Sequence, residues 1–211
     1  NALASNNITP GGGGTVTSGS AATLTSIGGG NFGGVIDGAL SFTRSGNNTT
    51  LLTTAQTYTG ATIIRGGTLQ LRDQASILGT SSITNYFGAL NIDNSNYTNF
   101  NSTDRVADGT AITLQGGTLT LTGAPGLTST ESVGTVTLQP GASTITSTMT
   151  AANGGTAILT LANLIRNAGT TLNLTGTNLG QAGSGNSQIV LTQIGGGAPT
   201  LTNGIIGGWA I

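Results

Sequence analysis

The sequence has no cysteine and no histidine, and because all five of its basic residues are arginine it has no lysine either. Without cysteine there are no disulfides or thiolate metal sites, and without histidine the commonest general base and metal ligand is missing. Charge of either sign is scarce. Five basic and six acidic residues among 211 make 5% charged residues and a net charge of -1, against about 25% in ordinary soluble domains. The arginines stand singly at Arg44, Arg65, Arg72, Arg105 and Arg166, so no basic patch can neutralise phosphates and nucleic acid is not an expected partner. No apolar run approaches about 18 residues and no basic amphipathic helix occurs, so no segment is expected to span or coat a membrane. Aromatic residues are few, at 4%, and proline occurs only at Pro10, Pro125, Pro140 and Pro199, each in a turn where its missing N–H costs no ladder bond.

What the chain does have is glycine, 37 residues of it, and threonine alternating with leucine, isoleucine and valine. Leu, Ile, Val and Phe make about 23% of the residues, above the roughly 20% floor for disordered chains, and the alternation is one a disordered segment has no reason to keep. Tyr58 to Leu71 reads YTGATIIRGGTLQL, and half of it returns at Gln115 to Leu121 as QGGTLTL. Two glycines followed by alternating Thr and Leu describe a tight turn feeding a strand with one apolar and one polar face. Such a unit cannot bury its apolar face alone, so its repetition implies stacking.

Residues 1–14, with Pro10 and four glycines, read as a flexible arm or linker, and residues 15–211 as one domain. Both ends read as cut from a longer chain or processed. From Thr15 onward short strand-like runs alternate with Gly or Asn turns, including Leu40 to Arg44, Thr68 to Arg72, Thr118 to Thr122, Gly134 to Leu138 and Thr200 to Leu201. This spacing predicts an all-β fold. Ala157 to Arg166 (AILTLANLIR) is expected to be a strand, a turn at Asn163 and a second strand. With few large aromatic anchors to fill a sandwich, a narrow β-solenoid core of stacked Leu, Ile and Val fits best. Coils of about 20 to 25 residues, spaced about 4.8 Å, would give roughly eight or nine coils and a rod about 40 Å long.

These residues resemble the autotransporter-associated β-strand repeat of long secreted or surface proteins of bacteria. The resemblance is carried by Asn31 to Asp73, with its GVI segment, Thr-rich strand, TYTG turn and GGTLQL strand, and by LIRNAGTTLNLTGTNLG and NGIIGGWAI within Leu164 to Ile211. It implies a right-handed parallel β-helix, export to the cell surface or beyond, and an extended rod. It implies no reaction, and nothing here resembles the outer-membrane barrel of an autotransporter. The absence of cysteine suits such an exported chain.

The densest polar group is Asp93, Asp104, Arg105 and Asp108, in the insertion Asn91 to Thr110, with Tyr97 and Phe100 available to stack on a sugar. One reading is a glycan-binding or hydrolytic loop with paired carboxylates, and the plainer one is a solvated loop whose aspartates cap turns and pair with Arg105. Asp93, Asn94, Asp104 and Asp108 could offer oxygens to calcium, but their spacing fits neither an EF-hand nor a calcium nonapeptide. The Gly-rich stretches lack the following Lys and helix of a phosphate cradle. No cofactor, no metal and no enzymatic activity are expected. Open solenoid ends invite pairing with another copy. The residues expected to serve that assembly are Ala2, Leu3 and Ile8, on an arm that could donate a strand, and Trp209 and Ile211 at the other end. The sequence therefore predicts a structural fibre or stalk subunit whose partner is itself, with an adhesin that binds surface glycans through 91–110 as the alternative.

Overall fold

Thr68 to Leu71 forms a strand whose two leucines are fully buried while Thr68 and Gln70 are half-exposed, and the rest of the chain repeats that arrangement. The computed structural model describes residues 3–4, 7, 9–96, 104–149, 154–201 and 206–210. Among them there is no helix. The strands, in chain order, are β1 (Thr15–Ser26), β2 (Gly30–Phe32), β3 (Val35–Arg44), β4 (Thr49–Leu52), β5 (Thr57–Tyr58), β6 (Thr62–Ile64), β7 (Thr68–Leu71) and β8 (Ile83–Tyr86). They continue with β9 (Ala89–Asp93), β10 (Ile112–Gln115), β11 (Thr118–Gly123), β12 (Thr128–Leu138), β13 (Gly141–Met149), β14 (Thr156–Arg166), β15 (Thr170–Gly176) and β16 (Asn186–Leu191).

The chain visits two sheets in alternation. The first runs β1-β3-β6-β8-β10-β12-β14-β16, with β5 also on β3, and the second runs β2-β4-β7-β9-β11-β13-β15. Every strand pairing is parallel. Each coil thus adds one strand to each sheet, the arrangement of a solenoid-like stack, and the eight successive strands of the first sheet agree with the coil number expected from the sequence.

Parallel register puts each residue on its counterpart in the next coil. Leu69 lies on Leu90, Leu90 on Leu119 and Leu119 on Ile145, so the leucines of GGTLQL and QGGTLTL occupy the same column two coils apart. These side chains and their equivalents in the first sheet, Phe42, Ile83, Ile112, Val136 and Leu164, make one continuous core. The glycines of the repeated phrase have a steric reason. A side chain at Gly67 would overlap the Asn48 carbonyl and the Arg44 guanidinium, and one at Gly117 would sit 2.5 Å from the buried amide of Asn85.

Some elements differ from the expectation. β14 is one strand with no turn at Asn163, which pairs with Thr135. The apolar phase shifts there, from Leu161 to Leu164, while the ladder to β12 continues on both sides. β12 begins at Thr128 rather than Gly134. Leu201 is exposed and lies in no strand. Coils differ in length, with 20 residues between Asp37 and Thr57 and 29 between Thr148 and Thr177.

The column model makes a sharp distinction between neighbours. Leu119→Ala, at the centre of its column, should cost about 2–5 kcal/mol, whereas Thr120→Ala, the next residue, should stay within about 0.5 kcal/mol. Urea unfolding of both variants checks this, and comparable losses would contradict the assigned register.

Candidate functional site

The polar insertion between β9 and β10 is drawn into the protein. Arg105 is fully buried, and so, nearly, are Glu131, Asn94 and Asp93. The Arg105 guanidinium donates to the Ala75 carbonyl at 2.6 Å, to the Asp73 carbonyl at 2.9 Å, and to Asn94 Oδ1 from Nε at 3.0 Å and from Nη2 at 2.8 Å. It thereby ties the turn after β7 to the end of β9. The Glu131 carboxylate, on the inward face of β12, accepts the N–H groups of Arg105 and, at 2.8 Å, of Val106. One arginine and one glutamate thus fasten both sides of the insertion, the arginine through two backbone carbonyls and the Asn94 side chain, the glutamate through two buried backbone N–H groups. Among the described residues the one ion pair is elsewhere, Arg72 with Asp73 at 3.5 Å.

Asp93 is also committed. Its Oδ1 accepts the Ser95 N–H at 2.8 Å and its Oδ2 the Gln70 side-chain amide at 2.6 Å. Asp104 and Asp108 remain exposed, and partial burial with the nearby Asp108 charge holds Asp104 above the usual carboxylate range. The structure therefore separates the expected glycan-binding set: Arg105 and Asp93 face inward as staples, and Asp104 and Asp108 face outward. Tyr97 and Phe100 lie outside the described residues. No cluster of metal-ligating side chains and no cavity occurs among the described residues. Glu131 was not singled out from the sequence. Its only signal is its position in TSTESV, in phase with Ser129 and Val133, and that phase becomes visible only once the strand is known to start at Thr128.

The ends of the stack form the second candidate site. Of the half-buried apolar residues packed against the core, Leu3, Val16 and Leu24 lie at the first coil, and Leu174, Ile189, Leu191, Ile194 and Trp209 at the last. The two sheets end differently. On the second sheet Leu3 approaches Gly30 of β2 so closely that a side chain on Gly30 would come within 2.6 Å of the Leu3 carbonyl. At its other end Leu172 of β15 bridges Ala210 in parallel and donates its N–H to the Trp209 carbonyl at 2.8 Å. The Arg166 guanidinium lies 5.4 Å from the Trp209 ring centre. The first sheet ends in β1 and β16 with no further strand beyond either among the described residues, although Thr177 and Gly180 bond the outward groups of Ser187 and Gly197 those of Ile194. Of the residues expected to serve assembly, Leu3 and Trp209 thus rest on the ends of the second sheet, and Ala2, Ile8 and Ile211 lie outside the described residues.

Burial pushes the Glu131 carboxyl up to about 7 from 4.5, against the pull of the Val106 and Arg105 N–H groups. The folded chain then holds its proton more tightly than the unfolded one. The contribution is full below about pH 4.5 and is lost as pH rises to about 7, by at most about 3 kcal/mol. The stability difference between the wild type and Glu131→Gln, from urea curves across this window, should shift against the wild type as pH rises. A shift in its favour would show that the carboxylate is the form the fold prefers. No protein-family model, no curated protein and no solved structure matches the chain.

Proposed function

We propose that the chain is a structural, extracellular β-solenoid, a right-handed parallel β-helix that serves as a subunit of a fibre or stalk of a bacterial surface protein and joins its copies head to tail. The observation that carries this reading is the pair of first-sheet edges. One is β1, and the other is the stretch from β16 onward between Ser187, which is bonded to Thr177 and Gly180, and Ile194, which is bonded to Gly197. β1 (TVTSGSAATLTS) and β16 (NSQIVL) contain no charged residue and no proline, the features that usually keep an edge strand from pairing. The two edges also match in kind. The column that begins at Leu24 passes through Phe42, Thr62, Ile83, Ile112, Val136 and Leu164 and reaches Ile194. A second copy stacked in the same sense would set its Leu24 beyond Ile194 and continue the column once it displaced Gly197, which bonds the Ile194 N–H and carbonyl.

Leu3 and Trp209, already seated on the second sheet, leave the first sheet as the place where joining starts. An irregularity in register between Ser18 and Ala22 divides β1, so pairing falls on its two flanks. The resemblance to surface-protein repeats gives the reading its location. The insertion at 91–110 supports an adhesin less well, because Arg105 and Asp93 are occupied inside the fold.

Electron microscopy of the concentrated protein should show fibres one solenoid wide. Thr23→Lys, an exposed position on β1, should leave the melting temperature unchanged and shorten or abolish them, because a charge on an edge opposes pairing. Monodisperse monomer of the unaltered chain by light scattering at high concentration would overturn the reading. Removal of residues 1–14 without loss of fibres would overturn only the donated arm.

A further inference from the structure

At one corner of the stack, where the first sheet turns toward the second, successive coils place a residue in the left-handed region. It is Gly46 (φ 81), Gly66 (φ 142), Gly116 (φ 68), Gly141 (φ 135) and Gly169 (φ 78), and in the coil between Gly66 and Gly116 it is Phe87 (φ 57). Glycine takes this conformation freely, whereas a bulky side chain there is a genuine outlier. Folding gains little from Phe87. It is 72% exposed, the most open of the large apolar side chains among the described residues. Its ring rests on Gly116, where even a Cβ would come within 2.7 Å of the ring carbons. The ring thus has a flat seat on the protein and a face left to solvent.

Its neighbours complete a strip. Arg65 sits with its guanidinium 5.3 Å from the Tyr86 ring centre, Tyr86 is in register with Gln115, and Gln139 follows Leu138 just as Gln115 follows Leu114 in the paired coil. Arg65, Tyr86, Gln115 and Gln139 therefore succeed one another along the rod at one residue per coil, about 4.8 Å apart, with Phe87 beside them. We infer that this corner binds an extended polysaccharide. An exposed aromatic face stacks on the C–H face of a pyranose ring, planar amide and guanidinium groups bond its hydroxyls, and the coil spacing is about the length of one sugar unit. The site is separate from the insertion at 91–110, and the inference holds whether or not copies join into fibres.

Affinity electrophoresis in gels containing hydroxyethylcellulose, xylan or a soluble β-1,3-glucan tests it, with Phe87→Gly and Phe87→Trp as variants. The unaltered chain and Phe87→Trp should be retarded by at least one of the three. Phe87→Gly should weaken that binding roughly tenfold, yet melt at the same or a higher temperature because glycine suits the corner. Absence of retardation of the unaltered chain in all three gels would overturn the inference, as would equal retardation of Phe87→Gly. A lower melting temperature for Phe87→Gly would make the ring a packing element. Loss of lateral association by that variant without added polysaccharide would make it a contact between rods.

Discussion

Every other feature of this protein depends on the parallel, in-register ladder. Because each strand lies directly on its counterpart, a residue's chief neighbour is the equivalent residue one coil away, and a column must suit all of its members at once. Leucine on leucine satisfies that demand repeatedly, as from Leu69 to Leu119. The ladder constrains only the paired positions. The chain between them is free to lengthen, which is how coils of 20 and of 29 residues share one stack.

The ladder also determines where the few charges go. Arg44, Arg105, Asp93 and Glu131 are all buried, an unusual fate for charged side chains. Corners leave backbone carbonyls and N–H groups without ladder partners, and these side chains supply them. Arg44 binds the carbonyls of Ser26, Ile27 and Asn48, while Arg105 and Glu131 do the same around the insertion. Smaller groups serve elsewhere: Gln56 bonds the Ile36 N–H and the Gly34 carbonyl, and the Tyr58 hydroxyl joins Thr62 and Thr80 in a buried chain. Scarce charge therefore leaves the surface barer than composition alone implies.

The repeated GGTLQL phrase made the stack legible, because alternation of Thr and Leu states both a strand and its inward face. Legibility failed where inward residues are polar. Ser129 and Glu131 concealed the first half of β12, and Asn163 was read as a turn although its backbone continues the ladder. The same blindness affected the insertion, where Asp93 and Arg105 looked like surface chemistry until register showed what they face. Phe87 was invisible for a different reason. An aromatic residue after a strand is unremarkable in a linear sequence, and only alignment of the coils shows that it stands where its neighbours have glycine.

The direction of the hydrogen bonds has a mechanical consequence. Strands lie across the rod and their ladder bonds run along it, so tension applied to the two ends would open one coil after another rather than shear all of them together. Each coil of 20 residues that opened would release about 70 Å of extended chain. A rod built in this way is stiff under small loads and yields by large, countable increments, the behaviour of an extensible tether.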